Sequence, residues 1–219
     1  MTLPKPRAVI FDWDDTVVDN WAVAVAAFNA ALSAMGTEPW TEDVIRRRTG
    51  GSARDMFTAL FGERWVEAEK VYYDTFLRLA ADKTRPHDHI EDLFRLLDES
   101  GVYMAVVSNK RGTLLRQETM HTGFDKYFGK VVGSGDASAD KPDPAPVHLA
   151  LEGSGIAAGP HVWFIGDSHT DMQCAHNTGL TPILIETKPP PEDVLRPIPP
   201  ARRFARHYDL MEFLNSCLV

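Results

Sequence analysis

The sequence predicts an α/β protein, a Rossmann-like parallel sheet core carrying an inserted α-helical cap. Three observations lead there. Short apolar runs recur at Ala8 to Phe11, Val102 to Val107, Val131-Val132, Val162 to Ile165 and Pro182 to Ile185. They are continuous rather than alternating, as strands buried on both faces of a parallel sheet are. Helical patterns lie between them, which implies an open sheet with right-handed crossovers. One interval, from the first run to the second, is too long for a single crossover and contains no convincing strand.

Taken in order, the first strand runs directly into Asp12-Trp13-Asp14-Asp15-Thr16. In the long interval, Trp21, Val25, Phe28, Leu32 and Met35 follow the spacing of an amphipathic helix. Met56, Phe57, Leu60 and Phe61 mark a shorter helix, and Trp65, Ala68, Tyr72, Phe76 and Leu79 a longer one. These set the expected domains: residues 1–19 and 84–219 as the core, residues 20–83 as a helical cap over the sheet. Beyond it, Ile90, Leu93, Phe94 and Leu97 share one helix face, and Gly101 ends that helix. Leu114-Leu115 lie in another helix. Val147, Ala150 and Leu151 lie in a third, after the Pro-rich turn Lys141 to Pro146. Arg203 to Arg206 reads as an edge strand, and the prolines between Pro189 and Pro200 mark an extended loop.

The 219 residues are 44% apolar and 25% charged, which excludes wholesale disorder and fibrous repeats. Asp and Glu number 31 against 23 Lys and Arg, a net charge of -8 that argues against nucleic-acid or membrane-surface binding. Cys174 and Cys217 cannot make a disulfide framework, so a reducing compartment is expected. No stretch has the apolar length to span a bilayer, and Met1 to Arg7 lacks a secretory apolar core. The expectation is a cytoplasmic protein, monomeric or weakly dimeric.

Ligands of open parallel sheets bind at the carboxyl ends of the strands. Asp12 and Asp14 follow the first strand. Ser108, Asn109 and Lys110 follow the second, and Gly166, Asp167, Ser168 and then Asp171 follow the fourth. Lys141 precedes a helix in the segment after the third. Clustered carboxylates repel and need a cation. All-oxygen donors suit Mg²⁺, which prefers a few carboxylates with water and substrate phosphate. A carboxylate nucleophile, a second carboxylate for proton transfer and a lysine to neutralise charge make a site for phosphoryl transfer.

Asp12-Trp13-Asp14-Asp15-Thr16 resembles the D-x-D-x-T signature of the haloacid dehalogenase-like hydrolase superfamily. Ser108, the Lys141-Pro142-Asp143-Pro144 turn and Gly166-Asp167-Ser168-His169-Thr170-Asp171 resemble its other stations, in order. The resemblance covers nearly the whole chain, since the helical insert sits where this family places its mobile cap. It implies Asp12 as nucleophile and metal ligand, and Asp14 as general acid and base with its backbone carbonyl on the metal. It implies Thr16, Ser108, Asn109 and Lys141 around the phosphoryl group, with Thr16 supporting the loop, and Asp167 and Asp171 on Mg²⁺. Ser108-Asn109-Lys110, Lys141 to Pro146 and Ala175 to Gly179 are similar to the phosphoglycolate phosphatase branch. The expected activity is hydrolysis of a small phosphate monoester, phosphoglycolate-like or a sugar phosphate. The alternatives are a phosphomutase of the beta-phosphoglucomutase type, and a non-catalytic binding protein on the same fold.

Where the family usually has glycine after the second aspartate, this chain has Asp15, one of the few other residues that tolerate a left-handed backbone. Arg48, Thr49, Gly50 and Ser52, around a Gly-Gly turn of the insert, are candidates for reading the leaving group. A solvated basic helix end is the competing reading. The eight histidines show no metal-ligand spacing; His169 alone lies in the metal loop.

Overall fold

Ala8–Phe11 (β1) is the central strand of a six-stranded sheet, and both of its neighbours come from far along the chain. The computed structural model describes residues 3–48, 52–187 and 189–218. After β1 come a two-residue strand Val18–Asp19 (β2) and the helices Trp21–Ala34 (α1), Glu42–Arg48 (α2), Ala53–Phe61 (α3) and Trp65–Lys83 (α4). Arg85–Pro86 (β3) returns the chain to Ile90–Glu99 (α5), Tyr103–Arg111 (β4), Gly112–Thr122 (α6), Lys130–Ser134 (β5) and Ala145–Leu151 (α7). Val162–Gly166 (β6), His169–Thr178 (α8), Thr181–Ile185 (β7), Glu192–Leu195 (α9), Arg202–Phe204 (β8) and His207–Leu218 (α10) complete it. The sheet order is β5-β4-β1-β6-β7-β8, and every neighbouring pair is parallel.

The expected α/β architecture is therefore present, and its cause is visible in burial. All four side chains of β1 are fully buried, because helices cover both faces. On one face Val9 and Phe11 pack with Leu93, Phe94 and Leu97 of α5 and Leu210 and Leu214 of α10. On the other, Ala8 and Ile10 pack with Val147 and Ala150 of α7 and Cys174 and Ala175 of α8. Phe94 is the hub of the first face, edge-on to Phe11, Phe124 and Phe128 at 5.1, 5.3 and 5.1 Å. Truncating so enclosed a ring to alanine costs about 3–5 kcal/mol.

Three details differ from the sequence expectation. The second strand runs beyond Val107 to Arg111, because pairing with β5 resumes at Arg111↔Ser134 after a register shift; Ser108, Asn109 and Lys110 ride on the strand itself. The edge strand is Arg202–Phe204, earlier than Arg203 to Arg206, since its partner β7 ends at Ile185 opposite Phe204. A ribbon of β2 and β3, with Val18 opposite Pro86 and Asp19 opposite Arg85, brings the two passages into the helical segment side by side.

Helices α1, α3 and α4 share an aromatic core of their own. Phe28 stacks on Phe57 at 5.4 Å and Phe57 meets Tyr72 at 5.8 Å, contacts of about 0.5–1.5 kcal/mol each. The α1 stripe is broader than its spacing suggested: Val23, Ala27 and Ala31 are buried beside Phe28 and Leu32. Among the described residues, no helix is long and apolar enough to cross a membrane.

Candidate active site

The site begins where β1 stops. The Asp12 amide donates to the Ile165 carbonyl of β6 at 2.9 Å, so the last hydrogen bond of the sheet fixes the backbone under the Asp12 carboxylate. Lys141 reaches the same place from the turn before α7. Its ammonium, buried with 4% exposure, donates to Asp12 Oδ1 at 2.6 Å and to Asp171 Oδ1 at 2.7 Å. Asp171 is set by helix capping. Ser168 Oγ accepts from the Asp171 amide, while Asp171 Oδ2 accepts from the Ser168 amide and hydroxyl at 3.0 and 2.6 Å. Gly166 allows this approach, since a Cβ there would collide with the Asp171 carboxylate. Thr16, fully buried, donates its hydroxyl to Asp167 Oδ1 at 3.2 Å.

Asp12, Asp167 and Asp171 each bring a carboxylate oxygen within 4.8 Å of the other two. Burial raises the pKa of the Asp12 carboxyl; Lys141 opposes this and Asp171 reinforces it. Asp167 is pushed well above the usual carboxylate range, first by burial and then by the charges of Asp15, Asp171 and Asp12. Burial acts to lower the Lys141 pKa, but Asp12 and Asp171 outweigh it and hold the ammonium above its ordinary value. Three carboxylates around one lysine are short of positive charge, and the donors are hard oxygens. A divalent cation such as Mg²⁺ fits that set.

Asp14 is placed differently. Its carboxylate turns away from the cluster: Asn20 and Lys110 both donate to Oδ1, Lys110 at 2.6 Å. Lys110, 7% exposed, also donates to Glu118 Oε2 at 2.6 Å, and the Trp13 indole donates to that same oxygen at 2.8 Å. The Phe76 ring lies 4.5 Å from the Lys110 ammonium. Asp14, Lys110, Glu118, Trp13 and Asn20 thus form one network, buried at Lys110, Trp13 and Asn20 and partly open at Asp14 and Glu118.

The remaining sequence candidates divide. Ser108 lines the pocket, and its Oγ accepts from the Lys110 amide at 3.3 Å. Asn109 brackets the Lys141 backbone, donating to its carbonyl and accepting from its amide, both at 2.9 Å. Its amide therefore positions the lysine. Asp15 takes φ 60°, the left-handed conformation that a glycine would adopt more cheaply. His169 opens α8, and burial lowers its pKa.

In the helical segment, Arg48 and Ser52 do not line the pocket above Asp12. Arg48 stacks on Trp40 at 4.9 Å, and Ser52 caps α3 by accepting from the Asp55 amide. Basic and hydroxyl side chains beside helix ends satisfy those ends first. Thr49 and Gly50 lie outside the described residues. The roof is made instead by Trp21 and Ala24 of α1, Met56 of α3, and Tyr72, Tyr73 and Phe76 of α4. Trp21, Met56, Tyr72 and Phe76 stand in the stripes whose spacing predicted helix packing, and nothing in that spacing marked the residues that also face a cavity.

Comparison with known proteins agrees with this geometry. The family model described as haloacid dehalogenase-like hydrolase matches residues 9–185. A phosphoglycolate phosphatase of Psychrobacter arcticus is 28% identical over 186 residues, 80% of each chain. An N-acetylmuramic acid 6-phosphate phosphatase of Pseudomonas aeruginosa is 29% identical over 178 residues, 79% of this chain and 78% of that one. The crystal structure of a HAD-superfamily hydrolase from Ehrlichia chaffeensis is 32% identical, covers 100% of both chains and has a TM-score of 0.69.

Proposed function

The chain belongs to the haloacid dehalogenase-like hydrolase family, and we propose that it is a Mg²⁺-dependent phosphatase that hydrolyses a small-molecule phosphate monoester through an aspartyl-phosphate. The observation that carries the reading is the pair of differently wired aspartates. Asp12 is held by Lys141 beside two further carboxylates, while Asp14 is held apart by Lys110 and Asn20. One is suited to attack and the other to move a proton.

Asp12 attacks phosphorus with the oxygen that Lys141 does not hold. The P–O bond to the leaving group breaks as the P–O bond to Asp12 forms. Asp14 gives its proton to the departing alcohol. It then takes a proton from a water that attacks phosphorus of the aspartyl-phosphate, releasing phosphate and restoring Asp12. Lys141 offsets the charge of the phosphoryl oxygens. Ser108 Oγ already accepts from the Lys110 amide, so its own O–H is left to donate to the phosphoryl group. Mg²⁺, held by Asp12, Asp167, the Asp14 carbonyl and Asp171, would supply the remaining positive charge. Residues 20–83 act as a cap that opens for substrate and closes to exclude water, turning about the β2–β3 ribbon.

The test is release of inorganic phosphate from an aryl phosphate with and without Mg²⁺. Asp12→Asn is expected to lower turnover by at least about 10³-fold, and chelation to abolish it. Full activity in Asp12→Asn or in chelator would overturn the reading.

A further inference from the structure

Floor and roof enclose a cavity of about 190 Å³, comparable to the roughly 150 Å³ that accommodates one benzene ring. The leaving group of any ester bound with phosphorus over Asp12 must lie in its upper part. Lys110 and Lys141 are the cations among the described lining residues, and both are committed to carboxylates. Two arginines come near without lining it. Arg46 stacks on the Trp21 ring at 4.7 Å and borders a separate groove with Pro189 and Pro191. Arg111 stacks on Tyr73 at 4.1 Å and pairs with Glu69 at 2.7 Å. Thr49, Gly50 and Gly51 carry no charge. An anionic leaving group would therefore enter beside Asp14 with no cation to meet it, losing its hydration without replacement.

What the roof does offer is flat apolar surface and two polar atoms. Trp21, Ala24, Met56 and Tyr72 are half-buried, so their surfaces are open to a ligand. The Tyr72 hydroxyl makes no hydrogen bond among the described residues. Burial first, then Tyr73 and the charges of Asp14 and Glu118, raise its pKa and keep it a neutral phenol. Asn20 is 2% exposed; its Nδ2 is spent on Asp14, and its Oδ1 is buried without a partner.

We propose that this site takes the phosphate ester of a compact, uncharged alcohol with an aromatic or similarly flat apolar face, in preference to a carboxylate-bearing ester. The face lies against Trp21, Met56 and Tyr72, and a hydroxyl or N–H on the leaving group meets Asn20 Oδ1 or Tyr72. This rests on the phosphatase reading and narrows it.

The experiment compares benzyl phosphate with 2-phosphoglycolate under one set of Mg²⁺ conditions. Both leave as poor alkoxides, so a preference reports binding rather than leaving-group reactivity. The expected kcat/KM for benzyl phosphate is at least about tenfold higher. Met56→Lys, which places a cation in the roof at a half-buried position, is expected to shrink that ratio by about tenfold, with Ala24→Lys as the second variant should the first fold poorly. Equal or better use of 2-phosphoglycolate by the wild type overturns the inference while leaving the phosphatase reading intact. A ratio unmoved in both well-folded variants also overturns it. No phosphate release from either ester or from an aryl phosphate fails the phosphatase reading itself.

Discussion

The floor and the roof of the pocket follow opposite rules. On the floor, charged groups are tied down: Lys141 is shared between Asp12 and Asp171, Lys110 between Asp14 and Glu118, and Asp167 is held by Thr16. On the roof the side chains are mostly rings, stacked on one another and on Arg46 and Arg111, and two polar atoms at its border, the Tyr72 hydroxyl and Asn20 Oδ1, have no partner among the described residues. Reacting groups must be held in place before the substrate arrives, because reorganising them would add to the barrier. Groups that recognise a substrate must stay unsatisfied until it does. The difference separates chemistry from choice, and it can be attacked from either side.

The largest effect is expected from the floor. Lys141→Met leaves Asp12 and Asp171 facing each other without a cation. Steady-state kinetics should show kcat/KM lower by about 10³-fold, and denaturant titration a loss of about 3–5 kcal/mol. Activity within about tenfold of wild type would mean the floor is not where the reaction occurs.

Next comes the support beneath the floor. His207 donates from Nε2 to the Thr16 carbonyl at 2.7 Å and stacks on His87 at 4.9 Å. Burial first, then His87, lowers its pKa from 6.5 to about 4. Between those values the unfolded chain binds a proton that the folded chain refuses, so this contribution is complete above about pH 6.5 and is lost as pH falls towards 4, up to about 3 kcal/mol. Chemical denaturation across that window should show the slope, and His207→Gln, which still donates but does not titrate, should flatten it.

Lys110 joins the two regions, since it grips Asp14 below and lies against Phe76 above. Lys110→Met should lower kcat about 10- to 100-fold with KM little changed, and Lys110→Arg should recover part of it. An equal loss in KM would place Lys110 with the substrate-reading groups and blur the division. The smallest effect belongs to the roof: Tyr72→Phe should raise KM about two- to tenfold for esters whose leaving group can hydrogen-bond, with kcat unchanged.

The parts legible in the sequence are those with a local signature. Ala8 to Phe11 is an unbroken apolar strand that ends on Asp12, so fold and nucleophile candidate are visible together. Asp171 was expected beside Asp167 from the acidic motif, while the capping box at the start of α8 that holds it is a feature of the folded chain. Lys110 was placed at the strand end but given no role, because its partners Asp14 and Glu118 lie on other elements and only the fold joins them. Tyr72 reads as one more ring in a packing stripe; that it also lines the pocket depends on how α4 is rotated, which tertiary contacts decide. Arg48 and Ser52 carried the right residue types for binding but are engaged by Trp40 and by the end of α3. The β2–β3 ribbon, two residues per strand, is too short to leave a pattern.

The order of strands also governs how the molecule is made. β1 leaves the ribosome first, but its partners begin at Tyr103 and Val162. At 5–20 residues per second, roughly eight to thirty seconds pass before the second partner exists. During that time helices α1, α3 and α4, which share one core, can already pack on one another. Asp12 is synthesised early, yet it has no site until Lys141, Asp167 and Asp171 have followed. A nascent chain halted before β6 carries an apolar strand with one edge bare. Such truncated chains are therefore expected to need a chaperone, and never to show partial activity.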